Sequence, residues 1–393
     1  MDRICIPREE FAERVKKAQH LMIERGIDIL FAFANEAEPQ FVRYSSDYWP
    51  SFETAAVIFA QKGDPILLIG PESMTYASDR SKIRDIRRIM CLRESSNPDY
   101  PGHKLDTLSE VIESLHCTDP IKTFAVAGYN LLPKIVYDEI RQTLASFGGE
   151  AEIIRGDDLL MQLRMIKSPA EIACLRKAGE ITVKALENVL ANIKPGMTEQ
   201  QVCGYAMQAI FENGGELEAY PFWTLAGKGS NQAISRPRSK IILPHDYVHL
   251  NIGARYEGYA ASIARGVFFG EPDKWVLDAM KAAHEAADVI EAELHDQNNS
   301  AYIAKRYFDT LGKTDHAKYT LYGPCHATGL MEGEPPWIDT DTDFTVYENM
   351  TFCIDMFMGN NDTGLGLRYE DSVRVGKECG DVYTKFPRKP IFM

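Results

Sequence analysis

The stretch His249–Arg265, HLNIGARYEGYAASIAR, predicts a β-hairpin. We expect its first strand to end at Asn251, its turn to pass through Gly253, and its second strand to run through Tyr259–Arg265. Side chains on a strand alternate between two faces, so residues two apart point the same way. The hairpin is therefore expected to direct Asn251 and Ser262 into one pocket, around which the rest of the chain is organised.

Three later segments concentrate acidic residues, histidine and glycine. They read PCHATGLMEGEPP at 324–336, ENMTFCIDM at 348–356 and LGLRYEDSVRV at 365–375. Carboxylates near an imidazole can bind a metal ion or a cationic group, or exchange protons with a substrate. We expect all three segments to converge on the pocket of the hairpin.

The order and spacing of these segments resemble the creatinase, prolidase and methionine aminopeptidase superfamily, which has the pita-bread fold. In its metallopeptidases, two Asp, one His and two Glu hold a pair of divalent metals. Carried over by that resemblance, Asn251 and Ser262 stand in this chain where the two Asp belong. His326 stands at the His position, and Asp355 and Glu370 stand at the two Glu positions.

The element pattern predicts two domains. Strands alternate with helices over 1–155, which predicts an α/β domain like the N-terminal domain of creatinase and prolidase relatives. The resemblance implies that 156–393 forms an α+β pita-bread catalytic domain. At the junction, Ser168-Pro169 followed by Glu171 predicts a capped helix start. A long helix is expected near 272–296.

Composition excludes several classes of protein. The net charge of −14 argues against a nucleic-acid surface, which needs a basic face. No stretch approaches the length of a membrane helix, and the polar N-terminus predicts no signal peptide. The eight cysteines are scattered without a C-x-x-C motif, so reduced thiols in the cytoplasm are expected. Cys325 and Cys353 are interpreted as small buried residues rather than nucleophiles.

The replaced Asp positions favour a pocket without metal or other cofactor. Asn251 and Ser262 remove two negative charges, and Asp355 is one methylene shorter than Glu. Creatinase belongs to the same superfamily, resembles this chain in lacking both Asp ligands, and works without metal. His326, Asp355 and Glu370 could still hold one metal ion, so that alternative stays open.

A metal-free pocket predicts a creatinase-like hydrolase that cleaves a C–N bond in a small amidine-, urea- or cyclic-amide-type substrate. Asp355 and Glu370 would bind a cationic group of the substrate, and His326 would act as general base or acid. Glu334, in the last part of the 324–336 segment, is a further candidate catalytic acid. The proton-transfer histidine of creatinase has no counterpart in 227–240, so the chain is not creatinase itself.

Further candidates have a structural interpretation as well. His249 is the second candidate base, or a structural histidine; Glu257 is a candidate nucleophile, or a solvated turn residue. The expected substrate-binding residues include pocket positions and aromatic or basic residues that suit a small ligand. They are Asn251, Ser262, Tyr259, Arg43, Trp49 and Trp223.

Two alternatives to the creatinase-like hydrolase remain. One is an Xaa-Pro dipeptidase-like metallohydrolase, or a lyase of this fold, with an altered metal site. The other is a non-catalytic pita-bread binding module, in which the acids would be relics. The resemblance also implies a homodimer, in which Arg43 and Trp49 would reach the active site of the neighbouring subunit.

Overall fold

The computed structural model describes residues 3–117, 120–148 and 151–393. The chain forms two compact units, Ile6–Arg164 and Met165–Met393, and the second includes the N-terminal residues up to Cys5. The division falls nine residues after the predicted boundary at 155/156, at the end of a helix that spans Asp157–Met165.

Six strands form one sheet in the described part of the N-terminal unit, in the order β4-β3-β2-β1-β5-β6. They are β1 (Ile29–Ala34), β2 (Ala55–Ala60), β3 (Ile66–Ile69), β4 (Ile86–Arg88), β5 (Thr123–Ala127) and β6 (Glu152–Arg155). The helices are α1 (Arg8–Arg25), α2 (Gln40–Ser46), α3 (Met74–Arg80), α4 (Leu108–Ser114), α5 (Lys134–Ser146) and α6 (Asp157–Met165). Strands β1 and β2 are buried along their whole length, as expected of strands in the centre of a sheet.

Two short helices of this unit are limited or supported by tertiary contacts. α3 ends at Arg80, and the residues 86–88 that follow extend and pair in parallel with β3. α2 has only seven residues, and all of them are buried. Burial of that short helix compensates for its weak intrinsic stability.

The C-terminal unit contains a ten-stranded sheet in its described residues, with the central order β12-β11-β13-β14-β10-β9-β7. Its strands are β7 (Leu217–Glu218), β8 (Trp223–Ala226), β9 (Tyr247–Tyr256), β10 (Tyr259–Phe268), β11 (Cys325–Ala327), β12 (Glu334–Ile338), β13 (Thr351–Asn360), β14 (Leu365–Arg374), β15 (Asp381–Val382) and β16 (Ile391–Phe392). Its helices are α7 (Pro169–Asn192), α8 (Glu199–Glu212), α9 (Lys274–Glu293) and α10 (Ser300–Leu311).

Local sequence sets the helix starts. The Ser168 hydroxyl accepts from the Glu171 amide, and the Glu171 carboxylate accepts from the Ser168 amide, which closes a capping box at α7. Thr198 and Gln201 make the same box at α8. Among the described residues, no helix is both long and apolar enough to cross a membrane.

The hairpin turn lies later than predicted. β9 continues to Tyr256, and the turn is made by Glu257 and Gly258, with φ values of 50° and 84°. Gly253 pairs with Ser262 inside the ladder instead. A Cβ at Gly253 would lie 2.8 Å from the Ala219 side chain and 2.9 Å from a backbone oxygen, so close packing rather than a turn requires this glycine.

The helices pack on one face of the C-terminal sheet. Alternate β9 residues, such as Val248 and Leu250, pack with α7 and α8. Alternate β13 residues, such as Ile354 and Met356, pack with α9 and α10. Because cross-strand partners share a face, the register places both helix pairs on the same outer face. The strand residues that alternate with these helix-packed residues point to the inner face of the sheet.

Candidate active site

Strand register brings the polar residues of four strands to the inner face. Asp355 pairs with Glu370, and His326 pairs with Cys353. The ladder of β10 continues this face, because Ala264 pairs with Glu370. The predicted pocket residues of the hairpin and of the three later segments therefore meet, as period-two alternation requires.

Four of these side chains form a group that could hold a metal ion. One ligand atom from each of His326, Glu332, Cys353 and Glu370 lies within 4.8 Å of all the others. We call this set the donor group. Two members lie outside the predicted site residues: Glu332, and Cys353, which the sequence predicts to be a buried core residue. The signal available for Glu332 was its place between His326 and Glu334 in the 324–336 segment.

The imidazole of His326 faces three carboxylates. Its Nε2 lies 3.6 Å from Glu332 Oε1 and 3.9 Å from both Asp355 Oδ2 and Glu370 Oε1. Its Nδ1 lies 3.1 Å from the Ala327 carbonyl oxygen. Because a carbonyl only accepts, we assign the proton of the neutral ring to Nδ1, which leaves the Nε2 lone pair directed at the acids.

Charge crowding shifts the acid–base equilibria of the pocket. Burial and then the Glu332 carboxylate raise the pKa of Glu370 to about 7. Burial also raises the pKa of Asp355, although Arg368 opposes that shift. For His326, burial opposes the charged form, but the neighbouring carboxylates outweigh it and raise the pKa. The pocket therefore attracts a positive charge.

Asn251 and Ser262 both contact Glu370. Asn251 Nδ2 donates to Glu370 Oε2 at 2.6 Å, and Ser262 Oγ donates to Glu370 Oε1 at 2.5 Å. Ser262 Oγ also lies 3.1 Å from Glu332 Oε1. The two neutral residues at the Asp positions thus fix the Glu370 carboxylate by hydrogen bonds.

A buried arginine, Arg368, contacts both Asn251 and Asp355. Its Nη1 lies 3.3 Å from Asn251 Oδ1 and 3.5 Å from Asp355 Oδ2. The guanidinium lies 4.3 Å from the ring centroid of Trp223, which places this predicted substrate-binding residue at the pocket. Tyr322, whose hydroxyl donates to Asp355 at 2.7 Å, forms another wall. The Arg368 cation offsets part of the negative charge here.

His249 is fully buried on β9. Among the described residues, neither of its ring nitrogens has a hydrogen-bond partner. Burial, followed by the charges of Arg368 and Arg238, lowers the pKa of His249 to about 3. A group with that pKa is neutral near neutral pH, and the role of His249 as a base stays a prediction.

Three other predicted residues are held by partners outside the donor group. Glu334 accepts from Lys167 at 3.3 Å in a buried pair. Glu257 lies in the hairpin turn and pairs with Arg3. The Tyr259 hydroxyl donates to Glu171 at 2.8 Å. These contacts give each side chain a structural role.

Arg43 and Trp49 belong to the N-terminal unit. The Arg43 guanidinium lies 5.2 Å from the centroid of the Trp49 ring. Trp49 Nε1 donates to the Glu36 carbonyl at 2.8 Å. Their binding of substrate stays a prediction.

Comparison with known proteins identifies the family. The model of metallopeptidase family M24 matches residues 173–377, more than half of the chain. The chain belongs to this family. The Xaa-Pro dipeptidases of Pyrococcus furiosus and Pyrococcus horikoshii are each 25% identical over 386 and 389 residues, and cover 96% of this chain and 99% of their own.

Solved structures confirm the predicted pita-bread architecture. The X-Pro aminopeptidase from Thermotoga maritima superimposes with a TM-score of 0.80 at 20% identity, covering 96% of this chain and 99% of that chain. The prolidase from Pyrococcus horikoshii gives 0.80 at 21% identity with the same coverage. The predicted superfamily and the mixed α/β fold are both confirmed.

The prediction of a metal-independent, creatinase-like hydrolase is wrong. The similar curated proteins include Xaa-Pro dipeptidases, the family is one of metallopeptidases, and the donor group is present. The neutral Asn251 and Ser262 alone favour a metal-free pocket. Glu332 and Cys353, however, lie beside Ser262 and supply other ligand atoms. What stands is a hydrolase of the peptidase class.

Proposed function

We propose that this protein is an Xaa-Pro dipeptidase-like metallohydrolase with an altered metal site. The observation that carries the proposal is the donor group, in which imidazole, carboxylate and thiol atoms lie within 4.8 Å of one another. The support from relatives is that Xaa-Pro dipeptidases match along almost the whole chain.

The spacing of the pocket atoms suits a shared cation. Two ligands at about 2.1 Å from a tetrahedral ion lie about 3.4 Å apart. His326 Nε2 lies 3.6 Å from Glu332 Oε1 and 3.9 Å from Glu370 Oε1. These distances exceed a hydrogen bond, which spans about 2.7–3.2 Å. In addition, Asp355 Oδ1 is buried and has no hydrogen-bond partner among the described residues.

The residues that would hold the ion are His326, Glu332, Glu370 and Cys353, with Asp355 beside them. When bound, a divalent ion supplies Lewis acidity that polarises a carbonyl group and lowers the pKa of water. The Ala327 carbonyl fixes the His326 ring through Nδ1, as oriented metal ligands require.

The remaining pocket residues bind substrate. The Asp355 carboxylate attracts the α-amino group of a dipeptide, as a charge-assisted partner does. Trp337, whose ring lies 5.1 Å from His326, and Tyr322, 5.9 Å from Trp337, provide apolar surface for a proline ring.

The decisive experiment compares chelated and reloaded protein on matched dipeptides. We expect hydrolysis of Ala-Pro and Met-Pro after reloading with one equivalent of Zn²⁺, Co²⁺ or Mn²⁺, and none after chelation. Ala-Ala and Met-Ala serve as matched substrates, and creatine tests the creatinase-like reaction. If the protein binds metal but hydrolyses neither Ala-Pro nor Met-Pro with any of the three ions, the proposal is overturned.

A variant pair tests the role of the donor group. Loss of an outer partner of a metal ligand lowers metal affinity or activity by about 10–100-fold. Glu332 is proposed as a direct ligand, so Glu332→Gln is expected to lower kcat/KM by about 100-fold or more. Glu378→Gln, at an exposed position, is the matched control and should keep activity. Equal activity of both variants would contradict a role for Glu332.

Two further expectations stay predictions. The homodimer implied by the family resemblance predicts a mass of twice 44.3 kDa in light scattering. A monomeric mass at micromolar concentration would refute it. The cytoplasmic location is tested by fractionating cells of the source organism.

A further inference from the structure

The inner face of the sheet carries a sulfur atom beside the carboxylates. Cys353 is fully buried on β13, and its Sγ lies 3.4 Å from Ser262 Oγ and 3.5 Å from Ser372 Oγ. Its cross-strand partner is His326, so both side chains lie on the pocket face. The Cys353 side chain therefore faces the pocket and not the helices that pack on the outer face of the sheet.

Cys325 shows what a core cysteine looks like in this fold. It is also fully buried and directly precedes His326, but it pairs with Ile354 and packs among the apolar residues under α9 and α10. Among the described residues, no cysteine forms a disulfide. The strand alternation therefore separates two buried thiols, one in the core and one at the donor group.

A thiolate in this pocket needs a bound cation, because burial and the carboxylates of Glu370 and Glu332 raise the pKa of the Cys353 thiol. The Asp positions of the family are Asn251 and Ser262 here, so both are neutral. The Cys353 sulfur lies 3.4 Å from the Ser262 hydroxyl, next to the position of one missing carboxylate. A thiolate there would restore one negative charge toward a divalent ion.

We propose that Cys353 is a direct ligand, through its thiolate sulfur, of a single divalent ion shared with His326, Glu332 and Glu370. This inference rests on the metal site of the proposed function and names the class of metal. A donor set of nitrogen, oxygen and sulfur favours Zn²⁺ and Co²⁺, whereas Mn²⁺ and Mg²⁺ prefer oxygen ligands. On binding, the S–H bond breaks, the S–metal bond forms, and the proton leaves to solvent.

A second observation points to a bound cation. Asp355 is buried at the same face, its Oδ2 lies 3.9 Å from His326 Nε2, and its Oδ1 has no hydrogen-bond partner among the described residues. Leaving a buried charged oxygen unpaired is costly. A metal ion in the donor group would compensate this carboxylate through its charge.

The test is Co²⁺ titration of the chelated full-length protein, followed by near-ultraviolet absorption. We expect a sulfur-to-cobalt charge-transfer band in the wild type and in Cys325→Ser, and its loss in Cys353→Ser. The ratio of Zn²⁺ to Mn²⁺ affinity, measured by competition, should fall by about tenfold or more in Cys353→Ser only. A band that persists in Cys353→Ser would overturn the inference.

A measurement on the wild type keeps the inference testable if Cys353→Ser does not fold. Zinc X-ray absorption should show one sulfur neighbour at about 2.3 Å. Bound zinc without a sulfur neighbour overturns thiolate ligation but leaves Xaa-Pro hydrolysis intact. Thiolate ligation without Xaa-Pro hydrolysis overturns the proposed function and leaves this inference standing. Failure to bind any divalent ion overturns both.

Discussion

Replacing Asn251 with Asp tests how the pocket holds together without metal. Asn251 Nδ2 donates to Glu370 Oε2 at 2.6 Å, and Asn251 Oδ1 accepts from Arg368 at 3.3 Å. Asn251→Asp removes the donor and places a second carboxylate against Glu370. The same change increases the attraction to Arg368, so the two effects oppose each other.

The size of the effect follows from these distances. With an effective dielectric constant of about 20, charges at 2.6 Å repel by about 6 kcal/mol and charges at 3.3 Å attract by about 5 kcal/mol. The net repulsion is about 1 kcal/mol, and the lost hydrogen bond to a charged group adds about 1.5–3 kcal/mol. We therefore expect Asn251→Asp to lower the free energy of unfolding of the chelated protein by about 3–4 kcal/mol.

The loss of unfolding free energy caused by Asn251→Asp should depend on pH. The pKa of Glu370 is raised from 4.5 to about 7, so the folded protein holds a proton that the unfolded chain releases in this range. The associated stability is present at low pH and is lost as the pH rises through 7. At pH 5.5, protonated Glu370 can donate to the new carboxylate, and the cost of Asn251→Asp should shrink below about 1 kcal/mol.

Urea unfolding of the wild type and of Asn251→Asp at pH 5.5 and 8.5, in the presence of a chelator, measures the loss of stability at each pH. Asn251→Gln is the matched control, because it keeps the amide while it changes the fit. A loss of stability that is the same at both pH values would refute the charge argument. An added divalent ion that binds only the folded protein should stabilise the Asn251→Asp variant by about 2.7 kcal/mol at 100 times its Kd.

Three further predictions concern buried polar groups. His326→Gln should weaken Zn²⁺ binding by about 100-fold or more in calorimetry, with an unchanged far-ultraviolet spectrum; retained affinity would remove His326 from the ligand set. Because burial lowers the pKa of His249 from 6.5 to about 3, the unfolded chain takes up a proton below pH 6.5 that the folded protein does not, and roughly 3 kcal/mol of stability is lost by pH 4.5. His249→Leu should abolish that loss in urea unfolding, and an unaltered pH dependence would contradict the assignment. Glu199, fully buried, accepts from Arg238 and the Ala226 amide, so Glu199→Gln should cost about 3 kcal/mol, while exposed Glu378→Gln should cost nothing measurable.

Part of the fold could be predicted because it depends on neighbouring residues. The starts of α7 and α8 follow from Ser168 and Thr198 with an acceptor three residues later, and both capping boxes form. The meeting of Asn251 with Ser262 also follows from strand alternation. The turn position did not follow, because Gly253 serves close packing and Glu257-Gly258 makes the turn.

The candidate site also has features that follow from the local sequence and features that depend on tertiary contacts. By itself, the sequence determined that the Asp positions are neutral and that His326, Asp355 and Glu370 lie on strands whose motifs converge. Only the tertiary structure decided that Glu332 turns toward His326 and that Cys353, not Cys325, joins the donor group. The reason is that a loop conformation and the register of β11 against β13 set these positions, and both depend on contacts between residues far apart in the chain.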